Sequence, residues 1–147
     1  MTVTNTGDNG CGIQMENTKV ELFDVAVNGC SSNALFIPST ASETTVVATR
    51  CEFANSGYGA WVEGSLTSAK FNDCVFNDNS DFGIYGTEST IHLHGEATAI
   101  HSNGAGIYAS TSAKVFLHLP SSHNTSYNNG AADRYTERGG TITNVED

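Results

Sequence analysis

Residues 82–86 read Phe-Gly-Ile-Tyr-Gly, and residues 105–109 read Ala-Gly-Ile-Tyr-Ala. The motif occurs earlier as Tyr58-Gly-Ala-Trp-Val62, Asn33-Ala-Leu-Phe-Ile37 and Cys11-Gly-Ile-Gln-Met15. Aligned on Gly12, Ala34, Gly59, Gly83 and Gly106, the copies are separated by 22, 25, 24 and 23 residues. A period of this length is the mark of stacked repeats. An Asn precedes each copy, at Asn9, Asn28, Asn55, Asn79 and Asn103. Upstream of it run alternating apolar positions: Val20, Leu22, Val25 and Val27, then Val46, Ala48, Cys51 and Phe53, then Ala69, Phe71, Cys74 and Phe76. Ile91, Leu93 and Ile100 repeat them more loosely, and Val115 and Leu117 keep a part. Ser/Thr corners separate the strand signals at Thr18, Thr44-Thr45, Thr67-Ser68, Ser89-Thr90 and Thr111-Ser112.

Composition agrees with strands and turns. Gly, Asn, Ser and Thr supply 61 of the 147 residues, and all four are poor inside helices. Charged residues are 15%, below the roughly 25% of ordinary domains. Six basic against 16 acidic residues give a net charge of -10, so the cationic footprint that nucleic acid requires is missing. No apolar run approaches the roughly 18 residues of a membrane span. The first ten residues lack a basic segment followed by an apolar one, so no signal peptide is read in this numbering.

Equivalent positions that return with the same chemistry point to a solenoid, in which each coil lies about 4.8 Å above the last. In a sandwich, strand direction alternates and local sequence does not recur. The Leu-x-x-Leu-x-Leu frame of the leucine-rich repeat is absent. On the Asn-x(2–5)-Gly/Ala-Ile signature, over about residues 9 to 119, the chain resembles the right-handed parallel β-helix family, the pectate-lyase-like fold. The resemblance implies an all-β solenoid of about five to six coils. It leaves activity open, because that fold hosts lyases, epimerases, phage spikes and non-catalytic repeats. Two interior columns are expected: Val27, Phe53, Phe76 and Ile100, and Ile13, Leu35, Ala60, Ile84 and Ile107. The coils are assigned to residues 1–119. Residues 120–147 read as an imperfect last coil or a capping tail, because Asp133 and Arg134 align with Ile107 and Tyr108 and cannot extend a buried core.

Several constellations could carry chemistry. Cys51 and Cys74 share one strand position, and Cys11 and Cys30 share an Asn-Gly-Cys context. The first two are read as buried thiols, with disulfides as the alternative in an oxidising compartment. His92 and His94 project to one side of a strand, and His118 follows His94 by one period. These three are candidate ligands of a surface metal site, against solvated histidines as the simpler reading.

The resemblance also implies how a catalytic version would work, with Ca²⁺ held by Asp residues and an Arg or Lys as base. Asp24, Arg50 and Asp73 recur one period apart and would be the ligands and base of such a site. Asp78 and Asp81 are further candidates for a calcium contact. The simpler reading is exposed charge pairing, worth under about 1 kcal/mol each, and solvated turn residues.

Trp61, Tyr85 and Tyr108 follow the inward position by one, so they should form an outward stripe, extended by Phe36 and Gln14. Such a stripe suits a glycan, a partner protein or a second copy of the chain. The expected function is therefore a non-catalytic structural or binding module without a required cofactor. The alternatives are a lyase or epimerase acting on acidic polysaccharide with calcium, and an ice-binding solenoid built on the Thr corners. One glycosylation sequon, Asn124-Thr125-Ser126, is a slight pointer to an extracellular setting.

Overall fold

The computed structural model describes residues 1–145, and within them the chain winds through six coils of three strands each. The first coil holds β1 (Thr2–Val3), β2 (Ile13–Gln14) and β3 (Lys19–Phe23); the second β4 (Ala26–Asn28), β5 (Asn33–Ile37) and β6 (Thr44–Thr49). The third holds β7 (Glu52–Ala54), β8 (Tyr58–Glu63) and β9 (Thr67–Asn72), and the fourth β10 (Val75–Asn77), β11 (Phe82–Thr87) and β12 (Thr90–His94). The fifth holds β13 (Ala99–His101), β14 (Ala105–Ser110) and β15 (Lys114–His118), and the sixth β16 (Ser126–Tyr127), β17 (Arg134–Thr136) and β18 (Thr141–Asn144). Corresponding strands pair in parallel into three six-stranded sheets: A, which starts with β1, B with β2 and C with β3.

Alternation along each strand sends every second side chain inward. Val27, Phe53, Phe76 and Ile100 are in register and fully buried. Ile13, Leu35, Ala60, Ile84 and Ile107 form the second expected column, half-buried at Ile13 and sealed from Leu35 onward. Phe53 stacks on Phe76 with centroids 5.1 Å apart, and Phe71 meets both edge-on. Each such side chain contributes roughly 1.5–3 kcal/mol by leaving water.

The Asn residues do not form the single column that the sequence suggests. Asn28 ends strand β4, Asn9 bends the turn before β2 with φ of 54°, and Asn55, Asn79 and Asn103 divide between two neighbouring columns at the corner between sheets A and B. One is a left-handed bend taken by Gly29, Asn55, Asp78, Ser102 and Asn128, with φ between 52° and 72°. The other is a buried ladder in which Asn79, Asn103 and Asn129 follow Cys30 and Ser56. Asn79 Nδ2 donates to Asn103 Oδ1 at 2.9 Å, and Asn103 Nδ2 donates to Asn129 Oδ1 at 3.0 Å. The same amide groups bond the Phe53 and Phe76 carbonyls of the coil below. Asn is suited to both columns, since it tolerates the left-handed region and carries a donor and an acceptor.

Coil six also departs from expectation by one residue. Arg134 pairs with Ile107 and Tyr135 with Tyr108, so the turn after Asn129 holds an extra residue. Asp133 closes that turn by accepting from the backbone and side-chain N–H groups of Asn129. Arg134 is exposed at the open end of the coil stack, and its guanidinium donates to Asn144 Oδ1 at 2.7 Å, so no charge is buried. Of the segment read as a last coil or tail, Glu146 and Asp147 lie outside the described residues.

Candidate functional site

Sheet B carries a band of aromatic rings on the outside of the coil stack. Phe36, Trp61, Tyr85, Tyr108 and Tyr135 occupy one outward column in successive coils. Tyr58 and Phe82 stand beside it, three residues before Trp61 and Tyr85. Strict alternation would not put positions three apart on one face. The motif glycine makes it happen. At Gly83 an added Cβ would lie 2.5 Å from Ile100 Cγ2, so this residue and Ile84 both face inward and Phe82 swings out with Tyr85. The rings interlock: Tyr58 lies 5.0 Å from Trp61, Phe82 5.1 Å from Tyr108, and Tyr85 4.9 Å from Tyr108 at 19°.

That interlocking changes one expectation. Tyr108 projects outward but is only 9% exposed, because Tyr85, Phe82 and Tyr135 cover its faces. Its hydroxyl donates to Glu137, whose carboxylate pushes the phenol up to about 12. Exposure in this column passes instead to Tyr135, at 47%. Trp61 and Tyr85 stay half-buried. The Trp61 indole N–H is screened from solvent and, among the described residues, has no hydrogen-bond partner. Beside Trp61 and Tyr58 opens a shallow hollow of about 250 Å³. Ser32, Asn33, Ser80 and Asp81 form its polar rim. Burial, then the nearby Asp81 charge, raises the Tyr58 phenol.

On sheet C, strand register puts His94 directly beside His118, with His92 two residues before His94 on the same face. The His94 and His118 rings are parallel within 6° with centroids 3.9 Å apart. His92 Nδ1 and His118 Nε2 lie 2.8 Å apart. Ligand atoms of all three lie within 4.8 Å of one another, and among the described residues this is the one such group of His, Cys, Asp or Glu. Burial and the neighbouring His118 lower His92, and the same causes take His94 down to about 4, so the His94 ring is neutral at pH 7.

The acid-base corner between sheets C and A is built differently from a ligand cluster. Asp24, Arg50 and Asp73 are each the left-handed bend residue of their coil, with φ of 53°, 51° and 51°. Backbone bonds to the next coil hold the bends, as from Arg50 N–H to the Asn72 carbonyl at 2.9 Å. Arg50 binds Asp24 through two hydrogen bonds of 2.8 and 3.1 Å, with both side chains exposed. That partner holds the Asp24 carboxyl below its ordinary range. Asp73 turns instead to the backbone N–H of Ala97 at 3.1 Å. Asp78 accepts from the Asn77 amide at 2.7 Å, while Asp81 stands at the rim of the sheet B hollow, so the two carboxylates have separate surroundings.

All four cysteines are unpaired in the structure. Cys51 and Cys74 are buried in one column, each thiol donating to carbonyls, and burial pushes Cys74 up to about 12. Cys11 and Cys30 do not stack despite their shared context. Cys11 lies against Asn33, whereas Cys30 precedes Ser56 in the ladder column. Residues 11–146 match the protein family described as "Right handed beta helix region". No curated protein and no solved structure matches the chain.

Proposed function

The chain belongs to the right-handed β-helix family, and on that premise we propose that it is a non-catalytic module that binds a neutral glycan on the aromatic wall of sheet B. The observation that carries this reading is the wall itself: seven rings on one face, with a polar hollow beside Trp61 and Tyr58. A sugar ring offers one apolar face and a rim of hydroxyls. The ring faces of Trp61 and Tyr58 suit the first, and Asn33, Ser32 and Asp81 suit the second. The orphaned indole N–H adds support. A buried donor without a partner costs about 1–3 kcal/mol, and Phe36 and Tyr85 fill the same column without that cost. The net charge of -10 disfavours a polyuronate on this surface.

Trp61 is the single tryptophan, so its fluorescence reports directly on the wall. Titration with neutral oligosaccharides should shift that emission saturably. Tyr85→Ala keeps the reporter and should weaken binding at least about tenfold, which corresponds to about 1.4 kcal/mol. Equal binding by this variant, or a wall occupied by a second copy of the chain at assay concentration, overturns the reading. So does release of unsaturated sugar from pectate or alginate, with or without Ca²⁺.

A further inference from the structure

We propose that His92, His94 and His118 form a binding site for one divalent late-transition-metal ion, of the class of Zn²⁺, Ni²⁺ and Cu²⁺, on the outer face of sheet C. This site is independent of the aromatic wall. Two adjacent strands supply its ligands, and their pairing is fixed over five consecutive register partners from Thr90 with Lys114 to His94 with His118. Ligands mounted on rigid strands hold their spacing better than ligands on loops. The remaining neighbours on this wall are Lys70, Asn72 and Phe116, in register with His92, His94 and His92 respectively. The cluster therefore contains three imidazoles and no carboxylate. Imidazole suits Zn, Cu and Ni, while Ca²⁺ and Mg²⁺ prefer oxygen.

The geometry is close to what such an ion requires. Zn–N bonds are about 2.0–2.1 Å, which sets ligand nitrogens about 3.3 Å apart around a tetrahedral ion. His92 Nδ1 and His118 Nε2 start at 2.8 Å, so this pair opens by about half an ångström. His94 must rotate about its Cβ–Cγ bond to bring a nitrogen out of the parallel stack on His118. All three rings are half-buried on the outer wall, where that rotation displaces no core residue. Water completes the coordination, as it does in three-ligand zinc sites. Phe116 packs against His92 at 5.2 Å and limits where that ring can go.

The test is calorimetric titration of the whole chain with Zn²⁺, together with NMR of the histidine rings. One ion should bind per chain. The ring signals of His92, His94 and His118 should move, while those of His101 and His123 stay. His118→Ala and, separately, His94→Gln should each weaken binding by at least about 10–100-fold, the loss typical when support of a metal site is removed. Cys11→Ser, which removes the one half-exposed thiol, should leave binding unchanged. No binding by the native chain, ring shifts confined to other histidines, or unchanged affinity in both histidine variants overturns the site.

Discussion

Sheets B and C share one interior and differ almost completely outside. Inward positions on both are mainly aliphatic or aromatic, as at Leu35, Ile84 and Ile107 on one and Val46, Ile91 and Val115 on the other, with buried hydroxyls at the strand starts Thr44 and Thr67 of C. Outward positions on B include rings that cover one another, whereas those on C are mainly Thr, Lys, Asn and His, with Phe23, Val47 and Phe116 set singly among them. Strand geometry does not require that difference. The interior specifies the coil, and each wall is free to carry its own surface chemistry.

The largest effect comes from breaking what the two walls share. Phe76→Asp places an unpaired charge in the aromatic interior and should cost more than about 4 kcal/mol. Trp61 emission from sheet B and histidine ring shifts from sheet C should be lost together. A melt within a degree or two of the native protein would show that the column is wrongly placed. Asn103→Ala is smaller and one-sided. It strands the Asn79 N–H and the Phe76 carbonyl, for about 2–3 kcal/mol. Chemical denaturation should show that loss, and Asn103→Asp should not recover it, because a carboxylate cannot donate to the carbonyl. The smallest effect separates the walls themselves. Trp61→Ala removes contacts with Phe36, Tyr58 and Tyr85 and should cost about 1–2 kcal/mol. Lys70→Ala, on sheet C, should stay within about 0.5 kcal/mol. Equal costs in the two variants would mean that the rings do not brace the sheet.

The interior was legible because its columns obey two simple rules, alternation along a strand and recurrence at one coil length. Ile84 and Phe76 could be placed inward from those rules alone. What escaped them is local. The extra residue before Arg134 shifts a register without disturbing composition, and only the Asp133 turn reveals it. Asn55 and Asn79 look equivalent in the sequence, yet one is a bend residue and the other a ladder residue. Burial of Tyr108 depends on Tyr135, whose place in the column depends on that same inserted residue. The ring stacking of His94 on His118 follows from their one-coil separation, but the approach of His92 to His118 is diagonal and depends on side-chain rotation. The one-period spacing of Asp24 and Arg50 makes them neighbours, while the turn of Asp73 toward Ala97 follows from the longer loop between Gly95 and Ala99.

Among the described residues, every strand pairing joins residues between 22 and 27 positions apart, from Ile13 with Leu35 to Ile107 with Arg134. The entropy of closing each turn of chain is therefore nearly constant, since it grows only with the logarithm of loop length. Folding has no single distant contact to wait for. Once two middle coils meet around Phe53, Phe71 and Phe76, each further coil adds to an existing edge at a similar cost. The stack can therefore grow in both directions from any pair of coils already docked, like a zipper with two ends. The outermost coils, held on one side alone, are expected to open first in amide exchange.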